Sequence, residues 1–188
     1  YWWILANELM LDATIERNLS YSGSCVAYAN GVDLPHYPMR FIDQQGLGEA
    51  DIVIIHGGTN DWSKNKAPLY GNVSMKATEG PKDSDLAPLF SAAEAATTRK
   101  AVEALDDTTF CTAYIKLIEL ILERRADTKI VCIVGDYTGV GVQQSIHKIA
   151  AHYPQNARVV DLLAVNGFND QVYMPKHDYN PETGKGCH

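Results

Sequence analysis

Two short runs constrain this chain more than any other feature: Asp51-Ile-Val-Ile-Ile-His56 and Lys129-Ile-Val-Cys-Ile-Val134. Both are continuous and rich in β-branched residues rather than alternating, the pattern of strands covered on both faces. A third strand is expected at Arg158–Leu162 and a shorter one at Thr14–Leu19. Helical stretches lie between them. Trp2–Leu11 is amphipathic, Pro38–Gln45 makes a short helix, Leu86–Leu105 is Ala-rich, and Val142–Tyr153 is ended by Pro154. Within Thr112–Arg125, Tyr114, Leu117, Ile118, Ile121 and Leu122 form one stripe, with Lys116, Glu119 and Glu123 opposite. Strands alternating with helices predict an α/β fold, a three-layer, flavodoxin-like parallel sheet with helices on both faces. Ligands gather at the carboxyl ends of strands in such sheets. The loops after Leu19, His56, Val134 and Leu162 therefore carry the chemistry.

The remaining properties exclude whole classes. At 188 residues the chain has the length of one domain. Its 46% hydrophobic and 21% charged residues are globular proportions, which rules out a disordered or fibrous chain. A net charge of −7 lacks the electrostatic footprint of a nucleic-acid or anionic-membrane partner. No apolar run approaches the roughly 20 residues that span a bilayer. Cys25, Cys111, Cys132 and Cys187 are far apart and never in a C-x-x-C pair, so a zinc site is not expected. Cys132 reads as a buried small hydrophobe. The polar stretch Ser63–Asp83 is expected to be a long loop, either functional or mobile, and Asn166–His188 is expected to be loop as well. The chain opens on Tyr1-Trp2-Trp3 and stops at Gly186-Cys187-His188. The expectation is a single domain, residues 1–188, cut short at both ends.

Three local patterns bear on chemistry. Gly58-Thr59-Asn60-Asp61 directly follows the strand ending at His56. Its glycines permit a sharp turn, and Asn60 projects a neutral amide from a rigid strand end, a suitable donor to an oxyanion. The plain alternative is a Gly-Gly turn with an Asx hydrogen bond. Ser22-Gly23-Ser24, after the first strand, offers an unobstructed Gly23 N–H at the same edge, and by itself is also an ordinary turn. Late in the chain, Gly184 and Gly186 precede His188, a candidate general base, with His177 competing for that role.

In this order the three patterns resemble the SGNH hydrolases, the GDSL-type esterases and lipases. The Gly-x-Asn-Asp block is the specific part, and the Asn18-x-x-x-Ser22-Gly23-Ser24 turn is supportive. Carried over residue by residue, the resemblance implies that Gly23 N–H and the Asn60 carboxamide are oxyanion donors and His188 the base, with Asp61 bracing the loop. Three positions depart from the family. There is no Gly-Asp-Ser block; Gly135-Asp136-Tyr137 is its nearest imitation. The orienting acid expected three residues before the histidine is Lys185, leaving Glu182 or Asp178 as substitutes. The family's Pro and closing helix after the histidine are not in the sequence. His56-Gly57-Gly58 imitates an α/β-hydrolase motif, but the Gly-x-Ser-x-Gly elbow of that fold occurs nowhere in the chain.

The resemblance implies an ester hydrolase using a serine acyl-transfer mechanism, with the nucleophile outside the 188 residues and no metal or organic cofactor. Trp62, Tyr70, Lys64 and Lys66 in the long loop would wall the site and suit a small polar ester, a sugar ester among them. Exported location is implied by the family only. Two other readings stand beside it: a non-catalytic carbohydrate- or ligand-binding pseudoenzyme on the same scaffold, and a flavodoxin-like domain of unrelated function.

Overall fold

A computed structural model describes residues 17–29, 35–43, 50–135, 138–162 and 164. Among them three strands form a parallel sheet in the order β1-β4-β5: β1 (Ile52–His56), β4 (Lys129–Val134) and β5 (Ala157–Asp161). The register sets Ile55 beside Cys132, and Cys132 beside Val159. The helices among the described residues are α1 (Tyr37–Asp43), α2 (Thr59–Lys64), α3 (Asp83–Ala95), α4 (Arg99–Glu103), α5 (Phe110–Arg124) and α6 (Val140–His152). This is the flavodoxin-like α/β architecture expected from the alternation of strands and helices. None of the described helices is long and apolar enough to cross a membrane. The expected helix Trp2–Leu11, the whole tail from Asn166 and the strand residues Thr14–Glu16 lie outside the described residues. Arg17–Leu19, expected to end that strand, carry no regular structure.

The two faces of the sheet differ. Ile130, Cys132 and Val134 are at most 1% exposed, and this face packs against α5 and α6, with the Tyr114 phenol of α5 beside the Cys132 thiol. On the opposite face Val131 and Ile133 are only half-buried, and Ile52 and Val160 are 45% and 41% exposed. Burial on both faces, expected from the unbroken apolar runs, is therefore complete on one side and partial on the other. His56, expected at the end of a buried strand, does end β1 but is exposed on this second face.

Helix α5 is the axis of the core. Thr109 caps it, accepting from Thr112 N at 3.2 Å while Thr112 Oγ1 accepts from Thr109 N at 3.2 Å. The cap starts the helix two residues before the apolar periodicity does. Ten of its residues are buried, from Phe110 to Ile121. Lys116 is one of them, which corrects its expected place on a solvent face. Its ammonium reaches Asp107 Oδ2 at 2.6 Å, and His36 Nε2 meets the same oxygen at 3.0 Å. The carboxylate compensates the buried lysine, and the His36 contact ties the segment before α1 to the start of α5.

Two other expectations change. The single helix Leu86–Leu105 is two helices, because Thr98 accepts a hydrogen bond from Ala101 N and so starts α4 afresh after a break at Ala96–Thr97. A Thr side chain competes with the helical backbone in this way. The stretch 63–83 is not an open loop. It holds the end of α2 and an antiparallel hairpin, β2 (Pro68–Tyr70) with β3 (Val73–Ser74), anchored by Leu69 and Met75 at 0% exposure. Pro68, Gly71 and the lysines around them disguise two very short strands.

Burial would raise the Asp107 carboxyl, but the hydrogen bonds from His36 and Lys116 outweigh it and hold the group at about 2, below its ordinary 3.8. A depressed carboxyl binds its proton more weakly folded than unfolded, so its contribution is complete above about pH 4 and is lost as pH falls toward 2. Asp107→Asn, which leaves the Lys116 charge uncompensated, is expected to cost up to about 3 kcal/mol at pH 7. Urea unfolding at pH 7, 4 and 2.5 checks this: the gap between parent and variant should be nearly the same at pH 7 and pH 4 and clearly smaller at pH 2.5.

Candidate functional site

The turn after β1 is shaped by Gly58. Its φ of 109° lies in the left-handed region, and a Cβ there would come within 2.9 Å of Val142. Only glycine meets both conditions. The chain then enters α2 at once, so that Asn60, Asp61 and Lys64 project from a short helix at the carboxyl end of β1.

All three reach one neighbouring loop. Asp61, 3% exposed, accepts two consecutive backbone amides, Val26 N on Oδ2 and Ala27 N on Oδ1, both at 2.9 Å. Burial pushes the Asp61 carboxyl up, and the two amides and the nearby Lys64 ammonium pull it back. Asn60 Nδ2 donates to the Ser24 carbonyl at 3.0 Å. Lys64 Nζ donates to the Gly23 carbonyl. The 21–24 turn is closed by Ser24 Oγ on the Tyr21 carbonyl at 2.8 Å and, more weakly, by Ser24 N on the same oxygen at 3.3 Å. Gly23 sits at φ 82°, again a glycine conformation.

Helix α1 braces this loop from behind. Tyr37 N donates to the Cys25 carbonyl at 3.1 Å, and the Tyr37 hydroxyl donates to the His56 carbonyl at 2.8 Å. Burial raises the phenol's pKa. Arg40 stacks over the Tyr37 ring and donates to the Leu19 carbonyl. The loop 19–29 and the end of β1 are thus held together from two sides.

Gly23 and Asn60 are brought to one loop–loop contact, joined through Ser24. Gly23 N–H meets no acceptor among the described residues, and one of the two Asn60 amide hydrogens is likewise uncommitted among them. A backbone N–H and a carboxamide are both kinds of donor that can receive an oxyanion. His188, His177, Lys185, Glu182, Asp178, Asp136 and Tyr137 lie outside the described residues. Of the expected wall, Lys64 is engaged with Gly23, and Tyr70 packs half-buried against the core. Trp62 is half-buried under the Lys76 ammonium, 3.4 Å from the ring centroid. Among the described residues no group of three His, Cys, Asp or Glu side chains is placed to hold a metal ion. Sequence reasoning missed Lys64 and Tyr37 as bracing residues. The spacing of Asn60, Asp61 and Lys64 directly after a strand was the available signal, since residues one helical turn apart share a face.

No protein-family model and no curated protein matches the chain. A solved structure from Bacteroides uniformis, described as a "putative GDSL-like lipase", is similar, with a TM-score of 0.54 and 24% identity over 88% of this chain. The match spans 66% of that protein's length. The chain has the fold of that GDSL-like protein.

Asp61 has a test independent of any reaction. Asp61→Asn replaces one acceptor oxygen by an NH2 group facing a backbone N–H, leaving a buried amide unsatisfied. The expected loss is about 2–4 kcal/mol in unfolding free energy, read by chemical denaturation, with amide exchange accelerated first at Val26 and Ala27.

Proposed function

We propose that this chain belongs to an ester hydrolase working by serine acyl transfer, with its nucleophilic serine outside residues 1–188. The observation that carries the reading is the joining of the 21–24 turn to Asn60, with the Asn60 carboxamide on Ser24 and the neighbouring Gly23 N–H uncommitted among the described residues. The fold shared with a GDSL-like protein supports it, as does the order of the motifs along the sequence.

In this mechanism the serine hydroxyl attacks the ester carbonyl carbon while a histidine, His188 by resemblance, takes its proton. The carbonyl oxygen becomes negative and is received by Gly23 N–H and the Asn60 carboxamide. Collapse of the adduct expels the alcohol, protonated by the histidine, and leaves an acyl-enzyme. Water then attacks with the same histidine as base, releasing the acid and restoring the serine. The donors act because they are held before charge develops and do not reorganise during the reaction. Asp61 holds the loop and takes no proton. The substrate we propose is a small polar ester, a sugar ester included, because the stretch that follows Asn60 carries aromatic and cationic side chains, with the Lys76 ammonium over the Trp62 ring. We also propose that the protein acts outside the cytoplasm.

Two measurements test this reading. The residues encoded before Tyr1 should contain Gly-Asp-Ser; any other residue at the serine position favours a ligand-binding pseudoenzyme on this scaffold. In the protein carrying that block, a fluorophosphonate should label the serine, and Asn60→Ala should lower kcat about 100- to 1000-fold with little change in KM. Turnover within threefold of the parent would remove Asn60 from the mechanism.

A further inference from the structure

Lys64 does more than line a wall. Three residues of α2 hold the neighbouring loop at successive points: Lys64 takes the Gly23 carbonyl, Asn60 the Ser24 carbonyl, and Asp61 the Val26 and Ala27 amides. Behind them Tyr37 N takes the Cys25 carbonyl. Every residue from Gly23 to Ala27 thus has a backbone group held by another element. The held groups nearest the uncommitted Gly23 N–H are the Gly23 carbonyl on Lys64 and the 3.3 Å turn bond from Ser24 N. A glycine has few steric limits of its own, so the hydrogen bonds around it decide how far it rotates, and the Lys64 bond adds to those that close the turn. Asn60 and Lys64 are four residues apart on α2, so the helix sets one donor of the site and the restraint on the other with a single rigid piece.

We infer that Lys64 is a positioning residue for acyl transfer: by holding the Gly23 carbonyl, its ammonium keeps the Gly23 N–H aimed at the point faced by the Asn60 carboxamide. The inference rests on the acyl-transfer reading above. A charge-assisted bond suits this task, being about twice as strong as a neutral one. The ammonium touches the peptide bond that follows Gly23 and has no contact with substrate in this role.

The test uses the full natural protein with a small chromogenic ester, comparing the parent with Lys64→Met and Lys64→Arg. Lys64→Met keeps the aliphatic stem and removes the donor. It should lower kcat about 10- to 100-fold, the scale on which a displaced or unsupported catalytic group costs rate, with KM within threefold. Lys64→Arg should recover most of that loss. Amide exchange at residues 22–24 should be faster in Lys64→Met at temperatures where circular dichroism shows both proteins folded. A purely structural lysine would lower the unfolding temperature and leave the kcat of the folded protein intact. If Lys64→Met turns over within twofold of an active parent, the inference is overturned and the acyl-transfer reading survives. If the parent and Lys64→Met are both silent toward esters and fluorophosphonate, the acyl-transfer reading fails and takes the inference with it.

Discussion

The Asp61 carboxylate on the amides of Val26 and Ala27 is the interaction on which the site depends. Those amides belong to a loop without strand or helix hydrogen bonds of its own, and buried amides without acceptors are costly. A single short side chain satisfies both at once and thereby fixes the loop's distance and orientation relative to β1. The contacts of Asn60 and Lys64 follow from the same placement, since α2 is only six residues long and moves as one piece. Gly58 makes this possible, because any side chain there would push α2 away from Val142.

A second carboxylate plays a comparable part deeper in the molecule. Asp107 compensates the buried Lys116 and engages His36, so the segment leading into α1 is fastened to the start of α5. Since α1 in turn holds Leu19, Cys25 and His56 through Arg40 and Tyr37, the loop at the site is tied to the core helix as well as to the sheet. Position is thus passed along hydrogen bonds from α5 through α1 to the loop. The apolar packing of α5 and α6 on one face of the sheet supplies the rigid base beneath.

Much of the fold was legible in the sequence. Asp51–His56, Lys129–Val134 and Arg158–Leu162 agree with the observed strands to within a residue at each end, because long β-branched runs have few other places to go. The periodicity of α5 was equally clear, and Thr109 accounts for its earlier start; for α6, Pro154 marked the end to within a residue. What failed was local. The Ala-rich stretch hid a cap at Thr98, and the hairpin 68–74 is too short for alternation to stand out against its Pro and Gly. Lys116 was misplaced because charge was read as exposure, and its partner Asp107 is nine residues away and outside the helix.

Of the candidate site, the sequence by itself determined the kinds of group and their order: a glycine turn near 23, then Asn60 and Asp61 after a buried strand. That information is local, carried by residue chemistry and by the spacing of apolar runs. Only the tertiary structure decided that Asn60, Asp61 and Lys64 all close on residues 23–27, over 30 positions earlier in the chain. The reason is physical. A hydrogen bond between distant segments depends on how the sheet and α1 set two loops side by side, and no pattern within either loop records where the other will lie.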